Sequence, residues 1–294
     1  MHPNAVHADS APGSASGRAA GSLYRLVSTR ADAGGTEVFA SSEHVASPWG
    51  PDLQHAGPVA GLLVRAMERT HPREGARIGR VTVDLLGAVP MSELHVRAWV
   101  ERPGRRIELL AAEITAADRT GTLRPVARAH GWRLQTGDTA DVQHLADPPL
   151  PVVSAGAQDL GHLPFPDAWQ HGFVDALEWQ VPPAADQLGT TTGAWMRLRM
   201  PLVEGEEPTD LERVSTIVDV ANGLGARLDA ADWMFLNTEL TIHLFQPPAG
   251  EWVGLTAETS VGSDGVAMSS GVIHSAAGPI GRVTQNVLVE RRPQ

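Results

Sequence analysis

"TDLERVSTIVDVANGLG", residues 209 to 225, decides the fold because it comes second. A run of the same character, "HAGPVAGLLVRAMER", occupies residues 55 to 69, and each reads as a helix followed by three long strand-like runs. After the first come "RIGRVTVDLLGAVP", "ELHVRAWVERPGRR" and "RIELLAAEITAADRTGTLRPVARAHGWRL", the last reading as two strands around a turn near Gly121. After the second come "WMFLNTELTIHLFQPP", "EWVGLTAETSVGSDG" and "VAMSSGVIHSAAGPIGRVTQNVLVE". A short alternating segment precedes each helix, "TEVFASSEHV" and "FVDALEWQV", and Pro90 and Pro247 close corresponding strands. The chain is written twice, as a tandem duplication. Each copy is a helix and an antiparallel meander, an α+β pattern in which a sheet buries one face by wrapping over a helix. The organisation expected is a disordered N-terminus over 1–22, a first unit over 23–135, a Pro-, Gly- and Asp-rich linker over 136–171 and a second unit over 172–294.

The helices carry end signals. Thr209 and Glu212 form the capping box Thr-x-x-Glu, and Gly223 sits where a left-handed C-terminal residue is wanted. Pro58 fits a first helical turn and Pro72 stops the earlier helix. On the second helix the 3.6-residue period puts Val214, Ile217, Val218 and Ala221 on one side. Glu212, Ser215, Thr216, Asp219 and Asn222 fall on the other. Taken alone this is an ordinary amphipathic helix with Asp219 in water. Asp219 is nevertheless the one charged residue between Val214 and Gly225, and its neighbours are small, as expected where another surface packs closely.

Two amides complete the candidates. Alternation along "WMFLNTELTIHLF" places Asn237 with Phe235, Glu239, Thr241 and His243, a largely polar face that reads as exposed. Gln285 shares its face with Val283, Val287 and Val289 and should be buried, where an amide must be hydrogen-bonded or cost about 1–3 kcal/mol. Counting back from Pro90 and Pro247 sets Asn237 against Arg80, and aligning the last strands sets Gln285 against His130. The two copies differ at these positions, as they would if one site worked and the other drifted.

Composition removes several classes. With 42% hydrophobic and 19% charged residues and no apolar run of the roughly 18 residues needed to cross a bilayer, no membrane partner is expected. The N-terminus lacks a signal peptide's apolar stretch, and the chain has no cysteine, which suits a reducing cytoplasm. All 23 basic residues are Arg, which excludes Schiff-base chemistry and a P-loop lysine. A formal charge of −11 leaves no general attraction to nucleic acid. There is no G-x-S-x-G for a serine nucleophile, no H-E-x-x-H for a metal, and "GLGARL" is not a dinucleotide fingerprint. Neither metal nor cofactor is expected, while homo-oligomerisation is left open.

The ordered series "QHAGPVAGLLVRAME", "RVTVDLLGAVP", "WMRLRMPLVEGEE", "DVANGLG", "NTELTIHLFQPPAGEW" and "VTQNVLVE" resembles the TesB-like, actinobacterial branch of the double hotdog acyl-CoA thioesterases over residues 23–291. That resemblance implies a tandem hotdog in which each sheet wraps a long helix, and an acyl-CoA or related acyl thioester as substrate. It also implies a water held by an Asp on the second-half helix, a Thr or Ser opening the next strand and a Gln in the last strand. Those roles fall on Asp219, Asn237 and Gln285, with Asn237 departing from the family by lacking a hydroxyl. Asp219 is then the general base, and free N–H groups where the first helix starts, near His55, Ala56 and Gly57, face the oxyanion. The expected substrate-binding residues are His55, Gly57, Asn222 and Gly223. His55 reads equally well as a structural helix-start residue. The competing function is a degenerate hotdog that binds acyl ligands, or serves a biosynthetic pathway, without hydrolysis. The hydratase signature Asp-x-Asn-Pro-x-His is not met, since "DVANGLG" has neither the Pro nor the His.

Overall fold

The computed structural model describes residues 21–30, 35–151, 169–181 and 192–292. Residues 1–20, most of the segment expected to be disordered, lie outside these, whereas Ser22 is buried. Among the described residues no helix is long and apolar enough to cross a membrane.

The first half opens with β1 (Tyr24–Thr29) and β2 (Glu37–Ser41), followed by a short ribbon of β3 (Ala46–Ser47) and β4 (Gly50–Gln54). Helix α1 (Ala56–Arg69) leads into β5 (Ala76–Leu85), β6 (Leu94–Arg102), β7 (Ile107–Ala117) and β8 (Leu123–Gln135). The second half has β9 (Leu177–Gln180), β10 (Thr192–Leu198), α2 (Asp210–Ile217), a 3-10 turn at Val218–Val220 and α3 (Ala221–Leu224). It ends in β11 (Trp233–Asn237), β12 (Glu239–Leu244), β13 (Val253–Val261), β14 (Val266–Ser275) and β15 (Gly278–Arg291). Thirteen strands make one sheet in the order β1-β2-β6-β7-β8-β5-β12-β15-β14-β13-β10-β9, with β11 also on β15. The left six and the right six follow the same order, and they meet where β5 and β12 pair antiparallel, Val81 opposite Ile242. The turn between β7 and β8 sits at Gly121, whose φ of +82° needs a residue without Cβ.

The helix faces correct the solvated reading of residue 219. Glu212, Ser215, Thr216, Asp219 and Asn222 are all buried, because the side expected in water lies against other protein surface. That surface includes α1. A Cβ on Gly57 would stand 2.3 Å from the Thr216 carbonyl oxygen, and one on Gly61 would stand 2.2 Å from Thr216 Oγ1. The two glycines therefore set how closely the helices cross. Gly57→Ala should push them apart and cost about 1–3 kcal/mol, as overpacking does. A denaturant midpoint equal to that of the wild type would show that the crossing can relax freely.

Arg65 on α1 is fully buried, and it stays charged because two carboxylates come to it. Its Nε and Nη2 donate to Glu206 at 2.8 Å and its Nη1 to Glu37 at 2.6 Å. The Arg65 guanidinium in turn holds the Glu206 carboxyl below the usual carboxylate range.

The capping box is present, Thr209 Oγ1 accepting from Glu212 N at 3.1 Å and Glu212 Oε2 from Thr209 N at 3.3 Å. Gly223, by contrast, lies inside α3 with no positive φ, and the helix runs one residue further because Asn222 and Leu224 pack inward. Burial, with the Glu68 carboxylate close by, pushes the Glu212 carboxyl from about 4.5 up to about 7. Folding thus favours the protonated form between those values, so the folded state holds more protons and stability falls as pH rises through that window. Glu212→Gln can still close the capping box. The wild type should lose Tm between pH 5 and pH 8, and the variant should lose less; equal losses would place the effect elsewhere.

Candidate active site

Asp219 lies in the 3-10 turn that joins α2 to α3, 3% exposed. Both amides expected from the sequence reach its Oδ1: Asn237 Nδ2 donates at 2.9 Å and Gln285 Nε2 at 2.9 Å. Gln285 Nε2 also donates to the Asp219 carbonyl at 3.0 Å, so the one side chain holds backbone and carboxylate together. The other oxygen, Oδ2, stands 3.1 Å from His55 Nδ1. Gln285 is fully buried, as its face predicts.

Asn237 corrects the exposed reading. Against β15 the pairing of β11 runs through Asn237–Val287, while that of β12 runs through Thr241–Thr284, so the register slips by one residue around Thr238. Alternation therefore changes phase there: Phe235 is buried before the slip, Leu240 and Ile242 after it, and Asn237 is turned inward to Asp219. A matching slip occurs in β5 between Ile78 and Arg80. The inward residue before it is Ile78, so Asn237 corresponds to Ile78 rather than Arg80. Val81 faces Gly131, and Thr241–Thr284 continued by one residue sets Leu240 against Gln285. Gln285 thus corresponds to Gly131 rather than His130, and the first half has no amide at either position.

His55 is the N-cap of α1, its Nδ1 accepting from Gly57 N at 3.1 Å while its ring lies 4.7 Å from that of Phe173. Nδ1 cannot serve both neighbours in one way. With a proton it donates to Asp219 Oδ2; without one it accepts from Gly57, and a favourable contact with Asp219 then needs the proton on the carboxyl. The first four N–H groups of the helix are mostly spoken for: His55 N donates to Val45 O, Gly57 N to His55, and Pro58 has none. Ala56 N–H is the remaining one. Gly57 accordingly serves the helix crossing and the cap.

Two cavities meet at this carboxylate. One of about 260 Å³ is lined by Leu53, Ala56, Val89 and Leu236, and one of about 40 Å³ by Trp169, Val220, Asn222 and Gly223; both touch Trp49, His55, Asp219 and Asn237. Asn222 Nδ2 donates to the Phe235 carbonyl at 2.8 Å. Asn222 Oδ1 and Gln285 Oε1 are buried acceptors without a protein donor. Trp49, Trp169 and Phe235 form an edge-to-face cluster around the smaller cavity, with Trp49 4.8 Å from Trp169 and 4.9 Å from Phe235. The sequence reading missed this cluster. Trp169 falls inside the segment taken as a linker, and its signal was being a large apolar residue in a Pro-rich stretch. Among the described residues no group of His, Asp or Glu could hold a metal ion.

Comparison with known proteins assigns the chain to a class. Residues 45–134 match the acyl-CoA thioesterase N-terminal domain and residues 157–289 the acyl-CoA thioesterase C-terminal domain. A hot dog fold protein from Alicyclobacillus acidocaldarius superposes with a TM-score of 0.66 at 14% identity, covering 91% of this chain and 97% of its own. The acyl-CoA thioesterase II TesB2 of Mycobacterium marinum gives 0.60 at 14% identity, covering 87% and 92%. The tesB protein of Mycobacterium avium subspecies paratuberculosis gives 0.59 at 14% identity, covering 90% and 95%. No curated protein matches the sequence. The fold is the hotdog, and the class is thioesterase. The chain belongs to the acyl-CoA thioesterase family.

Proposed function

We propose that this chain is two hotdogs in tandem, 23–135 and 172–294, and that it hydrolyses acyl-CoA in the cytoplasm by attack of a water that Asp219 activates. The observation that carries the reading is the carboxylate itself: buried, placed where two cavities meet, and gripped through one oxygen by two amides. Asn237 and Gln285 occupy Oδ1, which leaves Oδ2 as the oxygen to take a proton. Water adds to the thioester carbon and its proton passes to Oδ2. The oxyanion accepts from Ala56 N–H at the positive end of α1. When the tetrahedral intermediate collapses the C–S bond breaks, and the thiolate leaves with the proton Asp219 had taken. His55, 3.1 Å from Oδ2, lies in position to relay it. Asn237 supports the carboxylate through an N–H, where a hydroxyl would do so through O–H, so the missing hydroxyl does not interrupt the support.

The test is thiol release from short, medium and long acyl-CoAs, comparing wild type with Asn237→Ala. The variant removes one of two donors to Oδ1 and should lower kcat about tenfold or more, in keeping with one charge-assisted hydrogen bond. No thiol release by wild type from any acyl-CoA would overturn the reading in favour of a non-hydrolytic acyl binder.

A further inference from the structure

The active-site geometry recurs at the other end of the helix pair with the two halves exchanged. At the first site the N-cap residue of α1, His55, meets a carboxylate of the second half. At the second, the N-cap residue of α2, Thr209, donates its hydroxyl to Glu68 Oε2 of α1 at 2.6 Å. A cavity of about 320 Å³ opens there, its apolar wall including Ile78, Leu211 and Pro247 and its polar wall Arg73, Arg77 and Arg133.

The arginines of this pocket are unevenly paired: among the described residues Arg77 has no carboxylate within ion-pair distance. Glu108 binds Arg133 through Nε at 2.8 Å and is 3.7 Å from Arg73, so one carboxylate stands against two guanidinium groups. Arg73 donates to the carbonyls of Gly104 and Arg105, and Arg77 to those of Leu244 at 3.1 Å and Phe245 at 2.9 Å. Carbonyls orient a guanidinium without neutralising it. Of the acidic residues in the lining, Asp210 is bound by Arg213, and Glu68 accepts from the Thr209 hydroxyl, which orients that carboxylate away from an ion pair with Arg73 or Arg77. Two arginines held by backbone carbonyls, neither with a carboxylate of its own, border an apolar wall. The chemistry that fits is an anion with an apolar chain.

We propose that this pocket binds a second anionic acyl compound, head on Arg73 and Arg77 and chain along Ile78, Leu211 and Pro247, and does not hydrolyse it. It does not hydrolyse because Ile78 and Gly131 stand where Asn237 and Gln285 hold the carboxylate of the first site. The acyl nature of the ligand rests on the thioesterase reading, whereas the anion site rests on the geometry alone.

The test uses the full chain carrying Asp219→Asn, expected to slow turnover, titrated calorimetrically with dodecanoate, dodecanoyl-CoA and CoA. Two sites per chain are expected for at least one acyl probe. Binding of dodecanoate identifies a carboxylate head, whereas binding of dodecanoyl-CoA without dodecanoate identifies the cofactor phosphates. Arg77→Gln should weaken one site roughly tenfold to a hundredfold, the value of a charge-assisted hydrogen bond. The other site, and thiol release in the chain that retains Asp219, should be unchanged. Arg73→Gln, outside β5, should repeat the result where Arg77→Gln disturbs that strand. A single site unmoved by either change, or no binding of any probe, overturns the second pocket even if wild type releases thiol. Two sites without thiol release by wild type uphold the pocket and overturn the hydrolytic reading instead.

Discussion

Asp219→Asn should lower kcat for acyl-CoA hydrolysis about 10²–10⁴-fold, the usual contribution of a positioned general base, while KM stays within a few-fold. The amide has the shape of the carboxylate, and its oxygen can still accept from Asn237 and Gln285. What it cannot do is take a proton from water. Tm should hold or rise, because a buried carboxylate kept for chemistry costs stability that its neutral isostere does not. Fallen activity with intact Tm is the signature of a base. A fallen Tm with intact kcat would make Asp219 a structural anchor for Gln285 and the α2–α3 turn.

The second large effect is on stability. Arg65→Met should cost about 3–5 kcal/mol, because removing one partner of a buried ion pair leaves the other without compensation. Glu37 would face an apolar wall while Glu206 kept Arg69, 2.7 Å away, and the contact of the guanidinium with the Phe39 ring, 5.1 Å from its centroid, would go as well. Because both carboxylates keep about a quarter of their side-chain exposure, the lower end of that range is expected. Denaturant unfolding of wild type, Arg65→Met and Arg65→Met/Glu37→Gln decides the cause. Partial recovery in the double variant assigns the loss to the stranded charge; no recovery assigns it to lost packing around α1.

Local signals in the sequence had local outcomes. The capping box at Thr209, the turn at Gly121 and the burial of Gln285 follow from residue type and spacing, and each is found in the structure. Long-range packing was not legible in the same way. Period alone put Asp219 in water, since nothing between Thr209 and Gly225 shows that α1, whose Gly57 and Gly61 lie more than 150 residues away, closes over Thr216. Gly223 was misread for a related reason: its neighbours Asn222 and Leu224 are packed inward, so the helix had no cause to stop there. Strands β1 and β10 escaped notice because at the edges of a repeat their residues show neither a clean alternation nor a long apolar run.

The slip at Thr238 has a bearing on how this protein can be read beside any other chain. The slip sets which residues face inward, and it is what turns Asn237 toward the carboxylate. Matching columns of letters assumes that equal distances from a landmark mean equal places in the sheet, and here Pro90 lies nine residues beyond Val81 whereas Pro247 lies seven beyond its counterpart Leu240. Counted from them, the partner of Asn237 comes out as Arg80, two residues away from Ile78, the one that shares its place in the pleat. For this strand the ladder of cross-strand pairs, and not the spelling, is the coordinate system in which a role can be transferred.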